Sequence, residues 1–181
     1  ASDYQLNIAN KFKRVPYKAA NQMSDFSSWG LSVDGYLKPD VTLPGGMIYS
    51  SVNNGEYYMD RGTSMASPHA AGATALVKQS LKERFPHLTP EQLQILVKQM
   101  TMSTAVPHVD EETKAYSSVR QQGAGVMDVT AAALGDLYVT AKGDKSSLTL
   151  GNVKDTFEFD VTVHNLSDQE KTVTYETTLQ T

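Results

Sequence analysis

From about Ser64 to Phe85 the chain reads as one long helix, and the texture of that helix constrains the fold more than any other feature. Met65, Ala66 and the run Ala70-Ala71-Gly72-Ala73-Thr74-Ala75-Leu76-Val77 are small or apolar all round. That half is therefore expected to lie buried, with neighbours packed close to its backbone. Lys78, Lys82, Glu83 and Arg84 make the second half polar, so this end is expected to reach solvent. Pro68 is expected in the first turn, where its missing N–H costs no hydrogen bond.

A second helix is predicted from Thr89-Pro90-Glu91-Gln92. Thr89 suits the N-cap, Pro90 the first helical position, and Gln92 the return bond of a capping box. Leu93, Leu96, Val97 and Met100 follow at helical spacing and predict one apolar stripe that packs into a core. Gln122-Gly123-Ala124-Gly125 links this region to a short helix near Asp128 to Leu134. Upstream, residues 23–46 are rich in Ser, Gly, Pro and Asp, which predicts loops between short strands. Pro39 to Gly46 reads as a short strand closed by a Pro-Gly-Gly turn, and Ile48 to Val52 as another. Asn53-Asn54-Gly55 is the turn before Tyr57-Tyr58. The first 22 residues carry little pattern, and Lys11, Lys13 and Arg14 read as part of a solvated loop.

After Gly135 the texture changes. Leu148 and Leu150, then Phe157, Phe159, Val161 and Val163, then Val173, Tyr175 and Leu179 alternate with polar residues. Turn residues stand between these runs, so they predict antiparallel strands. At most four strands fit, fewer than the roughly seven of a complete sandwich. The chain is expected to end inside a β domain, with residues 1–135 forming one unit and residues 136–181 the start of the next.

Bulk properties narrow the function by exclusion. A length of 181 residues and an apolar fraction of 40% suit one packed domain, or one domain plus a piece of another. The net charge of −4 with scattered Lys and Arg argues against a nucleic-acid surface. No apolar run reaches the roughly 18 residues a membrane helix needs, and no signal-peptide pattern is visible. Cysteine is absent, which excludes disulfides, thiolate zinc sites and a cysteine nucleophile in this segment. Asp110-Glu111-Glu112 reads as a solvated loop rather than a cation site, and Asn165-Leu166-Ser167 as a plain turn.

The chemistry concentrates where the long helix begins. A serine hydroxyl is a poor nucleophile at neutral pH; it needs a base to take its proton and donors to hold the oxyanion. At a helix N-terminus the free N–H groups of the first turn and the positive end of the dipole favour developing negative charge. Gly62 lets the chain turn tightly before Ser64. Small residues at 66, 70, 71 and 72 let the helix lie close beneath the site.

Gly62-Thr63-Ser64-Met65-Ala66-Ser67-Pro68-His69 resembles the nucleophile motif of the subtilase family of serine peptidases. The resemblance extends to Lys38-Pro39-Asp40-Val41 with Pro44-Gly45, to Leu88-Thr89-Pro90-Glu91-Gln92, and to Gln122-Gly123-Ala124-Gly125-Val126 with Ala131-Ala132-Ala133. Together these cover residues 23 to 134 in order. A narrower similarity is to large cell-envelope proteinases of Gram-positive bacteria, the lactocepin type. Met23-Ser24-Asp25-Phe26-Ser27-Ser28-Trp29-Gly30 and Val161-Thr162-Val163-His164-Asn165 carry it. The resemblance implies the C-terminal part of an α/β subtilisin-like domain followed by the first strands of a fibronectin-like sandwich. It implies an extracellular, wall-anchored endopeptidase acting on protein or peptide substrates. Ser64 would be the nucleophile, with its own N–H in the oxyanion hole and Gly62, Thr63, Met65 and Pro68 in support.

The same resemblance places the catalytic Asp and His and an oxyanion-hole Asn upstream of residue 1, together with most walls of the specificity pocket. As an isolated polypeptide the chain is then expected to be inactive and to need the rest of its protein. No cofactor is called for in this segment; a structural calcium ion would belong elsewhere in the full protein. His69, on the same helix as Ser64, reads as packing or a core hydrogen bond, and His87 and His108 as loop residues. Two departures stand out. Arg61 replaces a small polar residue and is expected to be solvated, and Leu43 stands where Ala is usual.

Three other readings compete. Ser64 could be a plain N-cap. An α/β-hydrolase elbow would pair it with Asp110 or Asp128 and with His164, but needs a strong strand where Tyr57 to Arg61 is short and polar. A non-catalytic cell-surface module could be built on the β strands.

Overall fold

The computed structural model describes residues 20–150 and 152–178. The basic cluster at Lys11, Lys13 and Arg14 lies outside the described residues, as does Leu179. Strand β1 (Ile48–Ser51) pairs antiparallel with β2 (Tyr57–Asp60) around a 3-10 turn at Asn53–Gly55. Asn54 and Gly55 adopt positive φ of 64° and 75° there, which is why Asn and Gly occupy the turn. Helix α1 (Thr63–Arg84) follows directly, then α2 (Pro90–Ser103) and the short α3 (Val119–Gln122) and α4 (Val129–Leu134). Strand β3 (Leu137–Ala141) pairs antiparallel with β4 (Val161–Asn165).

The core sits between α1, α2 and α4. Val77 and Leu81 of α1 bury against Leu93, Leu96, Val97 and Met100 of α2, with Met127 and Ala132 closing the cluster. The predicted stripe on α2 is thus the core face. Its capping box is formed in both directions: Thr89 Oγ1 accepts from the Gln92 N–H at 3.2 Å, and Gln92 Oε1 accepts from the Thr89 N–H at 2.9 Å. Arg84 fastens the far end of α1, its guanidinium donating to the carbonyls of Ala133 and Gly135 and pairing with Asp136 at 2.9 Å. Strand β3 packs on α2 through Ser103, whose hydroxyl bonds the Val139 N–H and C=O.

Three expectations fail. Pro39 to Gly46 is no strand: among the described residues it makes one isolated bridge, Thr42 beside Val126. Its backbone bonds run to Gly125 and Met127, far along the chain, so local pattern could not define it. The small-residue half of α1 is not buried; Ala71, Gly72 and Ala75 are exposed and Leu76 is 61% accessible, because no described element covers that face. Beyond residue 141 the alternating runs around Leu148, Phe157 and Tyr175 form no strand among the described residues; only Val161–Asn165 pairs.

Leu81→Ala should destabilise this chain by about 2–5 kcal/mol, whereas Leu76→Ala should stay within about 0.5 kcal/mol. Urea denaturation of the two variants checks both. A hydrogen bond from Lys171, helped by the charges of Lys171 and Arg84, holds the Asp136 carboxyl below its usual range. A lowered carboxylate stabilises the fold above its unfolded pKa, and that contribution is lost as pH falls through the folded value. Melting temperature should therefore fall more steeply for the wild type than for Asp136→Asn between about pH 5 and about pH 2.

Candidate active site

Strand β2 ends at Asp60, whose Oδ1 accepts the Arg61 N–H at 2.8 Å. Gly62 then takes φ 152° and ψ 164°, a conformation that side chains rarely adopt, and the chain turns straight into α1. The Gly62 carbonyl accepts from the N–H groups of Met65 and Ala66 at 3.0 and 3.4 Å. The N–H groups of Thr63 and Ser64 find no acceptor among the described residues, so they are free first-turn donors. Ser64 is exposed and its hydroxyl has no hydrogen-bond partner among the described residues. Gly62, not Ser64, is the N-cap, and no side chain caps this helix. A plain capping role for Ser64 is thereby excluded.

Pro68 does not fall in the first turn. Counted from Thr63 it is the sixth helical residue, inside α1, and the bond its missing N–H would make is to the Ser64 carbonyl. The proline thus withholds a helical donor from the Ser64 carbonyl without breaking the helix. Thr63 is exposed beside Ser64, and Met65 is half-buried with its Sδ 3.7 Å from where a Gly62 side chain would begin.

A clasp beneath this turn was not legible in the sequence. The Gly62 N–H donates to the Gly45 carbonyl at 2.8 Å. A Cβ on Gly45 would stand 2.6 Å from the Gly62 oxygen and 3.1 Å from Ala66 Cβ. His69 Nδ1 lies 2.8 Å from the Pro44 carbonyl; since a carbonyl only accepts, Nδ1 carries the proton. His69 is therefore a hydrogen-bonding residue, as expected, but an exposed one rather than a core one. Pro44-Gly45-Gly46 is the sequence signal at this place, but as a turn and as part of the family resemblance it does not name Gly62 or His69 as partners. An open cleft runs along this clasp, lined by Asp25, Pro44, Gly45, Arg61, Thr63 and Ala66 among others.

No described histidine or carboxylate reaches Ser64. His108 bonds the Ser117 hydroxyl through Nδ1 and the Asn21 carbonyl through Nε2, both in loops. His164 stacks on Tyr138 and bonds Thr140, and His87 lies edge-on to Phe85. Asp128 caps α4 by accepting the Ala131 N–H. Asp110 accepts from Thr113 and Glu112, bonds that hold its carboxyl below the usual range. The partners an α/β-hydrolase reading would require are thus engaged elsewhere. Among the described residues no group of three or more His, Cys, Asp or Glu could hold a metal ion.

Residues 7–146 match the family model described as "Subtilase family". A C5a peptidase of Streptococcus pyogenes serotype M6 is 45% identical over 170 residues, covering 93% of this chain and 14% of that protein. A PII-type proteinase of Lactococcus lactis subsp. cremoris is 42% identical over 140 residues, covering 72% of this chain and 7% of that protein. Among solved structures, the Patellamide maturation protease PatA is 27% identical, with a TM-score of 0.39, covering 49% of this chain and 30% of that one. The chain therefore spans about one seventh of the length of the streptococcal relatives it matches.

Gly45→Ala should cost about 1–3 kcal/mol, because the new methyl must displace the Gly62 carbonyl or the helix behind it. Gly46→Ala, which meets nothing closer than Ser24 Oγ at 3.6 Å, should stay within about 0.5 kcal/mol. Chemical denaturation of the pair measures the difference.

Proposed function

The chain belongs to the subtilase family, and from that premise we propose that it carries the nucleophile segment of a serine endopeptidase. The observation that supports this most directly is Ser64 itself. It stands unpartnered and exposed in the second position of α1, inside the family's motif, with free N–H groups beside it.

In the proposed reaction the Ser64 hydroxyl attacks the scissile carbonyl and gives its proton to a histidine base. The oxyanion is held by the Ser64 N–H and by a side-chain amide, with the positive end of α1 adding to the field. Collapse expels the amine with the same proton and leaves an acyl group on Ser64, which water then removes. The base, its orienting carboxylate and the amide would come from protein outside these 181 residues. The exposed Ala71, Gly72, Ala75 and Leu76 face of α1 is the surface against which that remainder would pack. By itself the chain should be inactive.

We assign protein or peptide substrates, an extracellular location and anchoring to a Gram-positive cell wall to the parent protein, from its similarity to the streptococcal and lactococcal relatives. Residues 1–135 would complete the catalytic domain, and residues 136–181, with β3 and β4, would open a fibronectin-like domain. Any structural calcium would lie elsewhere in the parent protein.

In the full-length protein, Ser64→Ala should abolish fluorophosphonate labelling and lower peptide cleavage by about 10⁶-fold. Labelling that persisted in that variant would reject Ser64 as nucleophile, and labelling of the 181-residue chain alone would reject the need for a remainder.

A further inference from the structure

We infer that Arg61 is a specificity residue of the proposed peptidase site, selecting substrates with an acidic side chain close to the scissile bond. The inference rests on the peptidase reading and adds a substrate class to it.

Arg61 is exposed, and it stands three residues before Ser64, on the lining of the cleft. A trans chain advances at most about 3.6 Å per residue, so the Arg61 Cα is held within about 11 Å of the Ser64 Cα. A bound substrate in extended form advances about 3.3 Å per residue. The Arg61 Cα therefore stands within the span of about three extended substrate residues of the nucleophile, and these are the nearest positions its side chain addresses.

The guanidinium is free to take such a partner. No described carboxylate forms an ion pair with it. The neighbouring Asp60 is turned to other work, its Oδ1 accepting the Arg61 backbone N–H at 2.8 Å. Among the described residues Lys38 and Lys98, by contrast, share the one carboxylate of Asp40, at 2.7 and 3.5 Å. Asp25 also lines the cleft without an ion-pair partner, so the cleft as a whole is not uniformly basic. Asp25, however, is not tied by a short run of chain to the nucleophile, and Arg61 is. The planar fork of an arginine matches a carboxylate through two parallel N–H bonds, which a lysine could not reproduce.

The magnitude follows from exposure. A solvent-exposed ion pair is weak and screened by salt, so the selection is a preference rather than a requirement. Glu over Gln at the responsive position should be favoured about two- to fivefold in kcat/KM. Lys at that position should be disfavoured against Gln.

The test uses the full-length peptidase and matched fluorogenic peptides carrying Glu, Gln or Lys in turn at each of the three positions on either side of the scissile bond. Rates are expressed per site titrated with a fluorophosphonate. Wild-type enzyme should prefer Glu at one position, and the preference should shrink when salt is raised. Arg61→Ser should bring the Glu-to-Gln ratio to about one, Arg61→Glu should invert it towards Lys, and Arg61→Lys should retain part of it. A wild-type enzyme indifferent to charge at all six positions, or a Glu-to-Gln ratio unchanged in Arg61→Ser, overturns the inference. Failure of the peptidase reading is separately visible, since the wild-type enzyme would then not label at Ser64 at all.

Discussion

The packing of Val77 and Leu81 into the cluster built by Leu96, Val97, Met100 and Ala132 fixes α1, and through α1 it fixes Ser64. The helix is anchored at its C-terminal half and presents its N-terminal half outward. Its axis therefore works as a lever: buried side chains hold one end, and the Ser64 hydroxyl stands at the other. The anchor is tight. Glycine at 135 is required because a Cβ there would lie 2.4 Å from the Ala131 carbonyl and 3.3 Å from Met100 Cε. Burial of Leu81 alone is worth about 1.5–3 kcal/mol, so the anchor outweighs any single polar contact nearer the site.

Polar contacts then set direction rather than stability. Arg84 gathers the carbonyls of Ala133 and Gly135, the last acceptors of α4, and adds Asp136, which Lys171 also reaches. These are partly exposed pairs, each worth little energetically. Their value is geometric, since they tie the end of α1 to the segment that becomes β3. At the other end, the Gly62 bond to Gly45 and the His69 bond to Pro44 fix the turn in which Ser64 sits. Two clasps thus define both ends of a helix whose C-terminal half is held by apolar burial.

What the sequence made legible was local. The Thr89 capping box, the turn at Asn53–Gly55, the span of α1 and the short helix near Asp128 to Leu134 depend on residues within a few positions of each other, and each stands as read. The motif around Ser64 was legible because it lies in adjacent residues, and the role proposed for Ser64 rests on it. Thr42 and Gly45 were not, because their partners, Gly125 and Gly62, are set by the tertiary fold. Pro68 is the sixth residue of α1, just past the first turn in which a missing N–H costs no bond. Past residue 141 only Val161–Asn165 pairs among the described residues, since alternation shows which face a strand would bury but not whether a partner strand is present.

The exposed half of α1 is where local and tertiary signals disagree, and the disagreement has physical content. Natural sequences tend to agree with their folds at every level, so an all-round small and apolar helix left open to water is a local feature without its tertiary complement. Small residues such as Ala71, Gly72 and Ala75 contribute little energy by their own burial, so selection for an apolar core cannot explain them. They suit close approach of another backbone, which is how a nucleophile helix is brought near a base carried on a different segment. The surface of this chain therefore supports the proposal that Ser64 acts only within a larger domain, because the face that is open here is the one on which a segment carrying the proposed base would pack.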